Sequence, residues 1–333
     1  MKKILSLGIA LTLSFILVNG AVFFYERPVG WIDTPNGASR AVRNPYSMLV
    51  HGTEGYGISR IDKNGFTNPD YPLSDKYILM MGASHSQGKE IHEGKKYSVI
   101  INNLLTNGKE ELSAINISCD GHFLPSIINH FQAAVINYPR AKCITIEIGS
   151  TDYTIEELTN AVFQPEEIDT RNAEQIFSQQ NLVGKLKNSI KEYFPLVSLI
   201  KNHIQTARDG NSSKEYSVNE VEYKAVIIKG LSLIRSEYSG PIAFVYHPDT
   251  VIEGDGSLSV SRSKTIDIFK EACEDNGIGF IDVGDLFLEY YNEYQELPYG
   301  FSNTTPGNGH LNEIGHQIMA EAILDYLEEV NCK

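Results

Sequence analysis

The sequence predicts an α/β sandwich built on a parallel sheet, interrupted by a helical insertion and preceded by an apolar N-terminal helix. Three observations predict it. Short apolar runs bounded by turn residues recur along the chain, as expected of strands buried on both faces. Stretches with apolar residues at helical spacing lie between them. A block over about 155–238 breaks this alternation and reads as helix after helix.

The strands are expected at Tyr77–Met81, Ala114–Ile117, Cys143–Ile148, Ile242–Tyr246 and Gly279–Asp282. Helices are expected over Tyr97–Leu105 and over Ser261–Asn276, the latter stopped by Gly277. A last helix, Asn312–Val330, places Ile314, Ile318, Met319, Ala322, Ile323 and Tyr326 on one stripe, with Asn312 as N-cap. Inside the insertion, Val183–Phe194 and Leu196–Ala207 are helical patterns split by Pro195. Their apolar positions (Leu186, Ile190, Leu199, Ile204) have Lys185, Lys187, Lys191 and Lys201 nearby. Such a face fits a packing helix or lid, or one resting on a membrane surface.

Lys2 and Lys3 precede an apolar run from Ile4 to Phe24, about the length of a membrane span. It reads as a signal anchor over 1–25, or as a signal peptide cleaved after Gly20. Either places the body outside the cytoplasm: on the cell membrane with an extracytoplasmic main domain, or secreted or periplasmic after cleavage. Residues 26–75 are rich in turn formers, among them Pro28, Gly30, Pro35, Gly37, Pro45, Gly52 and Gly55. They read as an extended strap or linker, leaving 76–333 as the main domain.

The 333-residue chain carries 28 basic and 42 acidic residues, a formal net charge of −14. This excludes a nucleic-acid partner held by clustered Lys and Arg and disfavours a polyanionic substrate. A small acyl ester or acylated carbohydrate remains compatible. The cysteines, Cys119, Cys143, Cys273 and Cys332, form no metal-binding pattern and read as free thiols, with a disulfide open to a protein outside the cytoplasm.

Two motifs carry chemistry. In Gly82-Ala83-Ser84-His85-Ser86-Gln87-Gly88 an apolar strand ends in a tight turn that exposes a serine hydroxyl where backbone N–H groups can approach an oxyanion. In Gly307-Asn308-Gly309-His310-Leu311-Asn312 a histidine stands in a Gly-rich loop before a capped helix, placed to reach a strand-end serine. His316, inside the helix pattern, reads as structural.

These blocks, in order, resemble the SGNH (GDSL-like) hydrolase superfamily across most of residues 60–330. The first block, usually Gly-Asp-Ser, is matched by Gly82-Ala83-Ser84 with Gly88. The second is matched by Asn116–Gly121, the third by Gly149-Ser150-Thr151-Asp152, and the last by Gly307–His310, continued by HLNEIGH. The resemblance implies a three-layer α/β/α sandwich with a flavodoxin-like parallel sheet, and a serine esterase or O-acyl hydrolase, with O-acetyl transfer as an option. Its substrate would be an ester of an envelope or extracellular glycan. Ser84 would be the nucleophile and His310 its base. Ser84 N–H, Gly121 N–H and the Thr151 side chain would form the oxyanion hole, and neither metal nor organic cofactor would be needed.

Three positions depart from the family pattern. Ala83 replaces the first-block Asp, and Thr151 the oxyanion Asn. Gly307 stands where the acid that orients the histidine is usual. Asn308, a backbone carbonyl, Asp152 or Glu147 could stand in. His85, Asp152, His247 and Asn308 are pocket candidates. The departures also leave open a catalytically impaired protein that binds glycan or scaffolds envelope assembly.

Overall fold

The computed structural model describes residues 2–32, 42–70, 74–107, 112–163, 171, 173–206 and 219–332, with backbone only at 2 and 201–206. Pro35, Gly37 and Ala207, and the side chains of Lys201 and Ile204, lie outside the described residues.

The chain begins with helix α1 (Lys2–Tyr25). Its apolar stretch, Lys3–Tyr25, has mean hydropathy 2.2 and is long enough by composition and length to cross a membrane. The strap then forms two small antiparallel pairs: β1 (Trp31–Ile32) with β2 (Val42–Arg43), and β3 (Met48–His51) with β4 (Gly57–Arg60). It is not a free linker. Val29, Ile32, Val42, Leu49, Val50, Ile61 and Phe66 are buried, so this segment folds onto the body.

The body follows in chain order: β5 (Lys76–Met81), α2 (Ser84–Gln87), α3 (Tyr97–Asn107), β6 (Leu112–Asn116), α4 (Leu124–Asn137) and β7 (Ala141–Ile148). The insertion supplies α5 (Ile155–Phe163), α6 (Ala173–Gln179), α7 (Leu182–Tyr193), α8 (Pro195–Thr206) and α9 (Glu220–Glu237). Then come β8 (Ile242–Tyr246), the hairpin β9 (Asp249–Ile252) and β10 (Leu258–Ser261), α10 (Ile266–Asp275), β11 (Gly279–Asp282), α11 (Gly284–Tyr294) and α12 (Glu313–Glu329).

Five parallel strands form the main sheet in the order β11-β8-β7-β5-β6. Numbered among themselves, they run 2-1-3-4-5 from the β6 edge, the flavodoxin-like order. Alternation along β5 divides the core: Tyr77, Leu79 and Met81 face one side, Ile78 and Met80 the other. Leu124 and Phe131 of α4, Leu158 of α5, Ile227 of α9 and Phe269 of α10 cover the first face. Ile101 of α3, Phe287 of α11 and Met319 and Ile323 of α12 cover the second. The result is the expected three-layer α/β/α sandwich. The sequence reading missed α4, α11 and the β9–β10 hairpin, and started α10 five residues early. Ser261 belongs to β10, and the polar run 262–265 carries no apolar stripe until Ile266.

Asn312 caps α12 as expected, accepting from the Ile314 N–H at 2.9 Å and the Gly315 N–H at 3.2 Å. This fixes where the loop before it delivers His310. Ser84 opens α2 directly after β5, so both residues stand at the carboxyl ends of the strands, beside the β5/β7 switch point. None of the four cysteines forms a disulfide.

Candidate active site

Residues 226 positions apart meet: His310 Nε2 lies 2.9 Å from Ser84 Oγ. At its other nitrogen, Nδ1 donates to Glu54 Oε2 at 2.8 Å, and the His310 backbone N–H donates to Glu54 Oε1 at 2.6 Å. One carboxylate thus holds both the ring and the backbone of the same residue.

Glu54 comes from the turn between β3 and β4. That turn is tied down: Asn303 Oδ1 accepts from the Gly55 N–H at 2.8 Å, and Asn303 Nδ2 donates to the Gly52 and Gly55 carbonyls at 3.0 Å. Glycine at 309 makes room for it. A Cβ there would lie 2.2 Å from Glu54 Oε1, at a φ of +102° that L side chains rarely adopt. Gly307, where an Asp would be usual, has a φ of +76°. A side chain at that position would be strained, and the carboxylate arrives from the strap instead.

Burial alone would pull the His310 pKa down. The Glu54 hydrogen bond and the charges of Glu90 and Glu54 outweigh it, and the imidazole sits above its ordinary value. In Glu54, burial raises the carboxyl, but its two bonds from His310 win and hold it below the usual range. Glu90, 1% exposed, lies 3.5 Å from His310 Nδ1, and neither of its side-chain oxygens has a hydrogen-bond partner among the described residues. Burial pushes its carboxyl up. Glu54, Glu90 and His310 bring their donor atoms within 4.8 Å of one another, a spacing that could also hold a cation.

Beneath the serine a second network is fully buried. Glu147 on β7 accepts from the Ala83 N–H at 2.7 Å and the Ser86 N–H at 3.3 Å, and from His247 Nε2 at 2.7 Å. His247 Nδ1 lies 2.9 Å from the Tyr299 hydroxyl. Gly82 allows this approach, since a Cβ there would stand 2.4 Å from Glu147 Oε2. The His85 ring lies between those of His247 and His310, with centroids 4.5 and 4.7 Å away. Burial and the neighbouring imidazoles hold His85 well below its ordinary pKa. Its Nδ1 accepts from the Leu311 N–H at 3.2 Å, so the neutral ring carries its proton on Nε2.

A cleft of about 190 Å³ reaches Ala83 and His85, the sequence neighbours of Ser84, though not Ser84 or His310 themselves. Ala83, His85, His247, Gly149, Ser150, Tyr153, His122 and Phe123 are among its lining residues. His85 and His247 are therefore at the cleft, and Gly121 stands in the adjacent turn with φ +80°. Three residues expected there are elsewhere. Thr151 is fully buried, with its hydroxyl 2.9 Å from that of Thr265. Asp152 accepts from the Lys264 and Thr265 N–H groups at 3.1 and 3.0 Å, and so anchors the entry to α10. Asn308 is exposed and does not line the cleft. Asp152, Asn308 and Glu147 do not stand in for the missing acid. The carboxylate on His310 Nδ1 is that of Glu54, which the sequence pattern did not single out; its only local sign is a Gly-rich turn.

No protein-family model matches the chain, and no curated protein matches it. Solved structures align with it loosely. A structure of TesA shares 9% identity over 77% of this chain and 99% of its own, with a TM-score of 0.41. The psychrotrophic esterase EstA from Pseudoalteromonas sp. shares 9% over 78% and 100%, with a TM-score of 0.42. An acetyl xylan esterase, AlAXEase, shares 12% over 75% and 99%, with a TM-score of 0.43.

Proposed function

We propose that this chain is a membrane-anchored serine ester hydrolase of SGNH type. The observation that carries the reading is the continuous Ser84–His310–Glu54 relay, with contacts of 2.9 and 2.8 Å. His310 Nε2 takes the Ser84 proton as Oγ attacks the ester carbonyl. Glu54 holds the ring in the tautomer that leaves Nε2 free to accept and stabilises the imidazolium that forms. His310 then hands the proton to the leaving alcohol. Water, activated by the same ring, hydrolyses the acyl-enzyme, and another hydroxyl in its place would make the reaction a transfer.

The oxyanion is held by the Ser84 and Gly121 N–H groups. The Nε2–H of His85, on the cleft wall, takes the place of the third-block side chain that Thr151 does not supply. Losing one such donor typically costs about 10²–10³ in rate, so His85 carries a share of that order.

The cleft, at about 190 Å³, fits a short acyl group. Phe123, 57% exposed at its edge, offers an apolar plate for a sugar ring. An acetylated or similarly acylated carbohydrate of the envelope is the substrate class this supports. Helix α1 is the anchor, and it is coupled to the site: Tyr56 donates to the Phe24 carbonyl at 2.9 Å, and Glu26 accepts from the Gly52 N–H at 2.9 Å, two residues before Glu54.

Purified protein should hydrolyse p-nitrophenyl acetate, and Ser84→Ala should lower turnover by several orders of magnitude, to the residual that the oxyanion donors and binding alone supply. Equal turnover by wild type and Ser84→Ala would overturn the proposal. The alternative of a catalytically impaired binder loses its main motive, because the acid missing at Gly307 is replaced by Glu54.

A further inference from the structure

Helix α7 is inside out for a helix in water. Successive residues turn by about 100°, so Leu182, Val183, Leu186, Ile190 and Tyr193 form one stripe. All five are exposed, Leu182 at 82%, Val183 at 74% and Leu186 at 59%. The residues it turns inward are polar. Asn188 Nδ2 donates to Asn44 Oδ1 at 3.2 Å, and Glu192 pairs with Arg27 at 2.5 Å. Across the break at Pro195 the exposed apolar surface continues through Phe194, Val197 and Ile200.

This surface is continuous with α1. Phe194 stacks on Phe15, and Tyr193 on Phe23. Asn19, a polar residue within the apolar run, donates to the Tyr193 carbonyl at 3.0 Å and accepts from the Leu196 N–H at 3.4 Å. It therefore satisfies backbone groups freed where α7 gives way to α8. In hydrocarbon such groups have no water to turn to and must be satisfied by protein. Asn19 lies seven residues before Glu26, the first charge after the run, or roughly 10 Å along the helix.

We propose that α7 and α8 form a hairpin immersed in the outer leaflet of the lipid bilayer beside α1, with the Leu182–Ile200 apolar face in the acyl chains. Lys187 and Lys191 flank the stripe and suit the headgroup layer, while Lys185 turns back to the Ser178 carbonyl at 3.2 Å. The depth given by Asn19 matches the roughly 5–10 Å typical of interfacial helices. The hairpin and anchor together would fix the height and tilt of the cleft above the membrane, restricting it to esters displayed close to the surface. The inference rests on α1 spanning the bilayer.

The test uses the full chain in phosphatidylcholine vesicles, with and without bromine on the acyl chains. Trp31, the chain's single tryptophan, is first replaced by Phe. Leu11→Trp then reports on α1 and Leu186→Trp on the hairpin, with p-nitrophenyl acetate turnover confirming that each variant is folded. The expected result is loss of emission in brominated lipid for both probes, with blue-shifted spectra. Quenching of Leu11→Trp alone, with Leu186→Trp reached by aqueous iodide, would overturn the hairpin and leave the anchor standing. Quenching of neither would overturn the anchor, and the hairpin with it.

Discussion

Replacing Glu54 by Gln removes a charge and preserves the shape of the side chain. In wild type the carboxylate accepts from His310 Nδ1 at 2.8 Å and from the His310 N–H at 2.6 Å. The amide can still meet one of these donors, but no longer favours the imidazolium of the transition state or enforces the tautomer. Loss of the corresponding acid in the well-studied Ser–His–Asp triad costs about 10⁴ in kcat. Here Glu90 lies 3.5 Å from the same nitrogen and can recover part of that. The expected fall in kcat/KM for Glu54→Gln is therefore about 10³-fold, or about 4 kcal/mol of transition-state stabilisation. The pH profile should move as well. His310 works as a base only when unprotonated, and its pKa is held above the ordinary imidazole value. The wild-type acid limb should accordingly lie above that value, and in Glu54→Gln it should shift toward lower pH. Initial rates on p-nitrophenyl acetate across pH measure both effects. A variant within about threefold of wild type, with an unmoved limb, would refute the relay as drawn.

Gly309→Ala should lower activity with little loss of secondary structure, since its Cβ would displace the Glu54 carboxylate; kcat/KM beside a circular dichroism spectrum tests this. Glu147→Leu removes the acceptor for His247 and for the Ala83 and Ser86 N–H groups in a buried site, and urea denaturation should show a loss of about 3–5 kcal/mol. Lys96 is fully buried against Ser59, and burial lowers its pKa from 10.5 to about 7. Between those values the unfolded state binds more protons, so stability should rise with pH across that window. Lys96→Met should flatten this rise when urea midpoints are compared at about pH 7 and about pH 9.

The sheet was legible because its strands are buried on both faces and must be continuously apolar, as YILMM and IAFVY are. The meeting of Ser84 and His310 was legible because a strand-end serine turn and a histidine loop before a capped helix each have a local pattern. Glu54 was not, because nothing in Gly52-Thr53-Glu54-Gly55 indicates a partner 256 positions away. Only the glycine at 309, needed for close approach, reflects it. Thr151 and Asp152 misled for the opposite reason. They stand at the block position, but Ser263 and Thr265 at the entry to α10 offer nearer hydrogen-bond partners and turn both inward. The strap read as linker because its turn residues are dense, while its few apolar residues, such as Val29, Leu49 and Ile61, form a cluster visible only in three dimensions.

The central claim is that the Ser84 hydroxyl is made nucleophilic by His310. Incubation with a fluorophosphonate, followed by mass spectrometry of the digested protein, tests it most directly. The account predicts a single adduct on Ser84 in wild type and much slower labelling in His310→Ala. An unmodified Ser84 in folded wild type, or equal labelling of the two proteins, would contradict it.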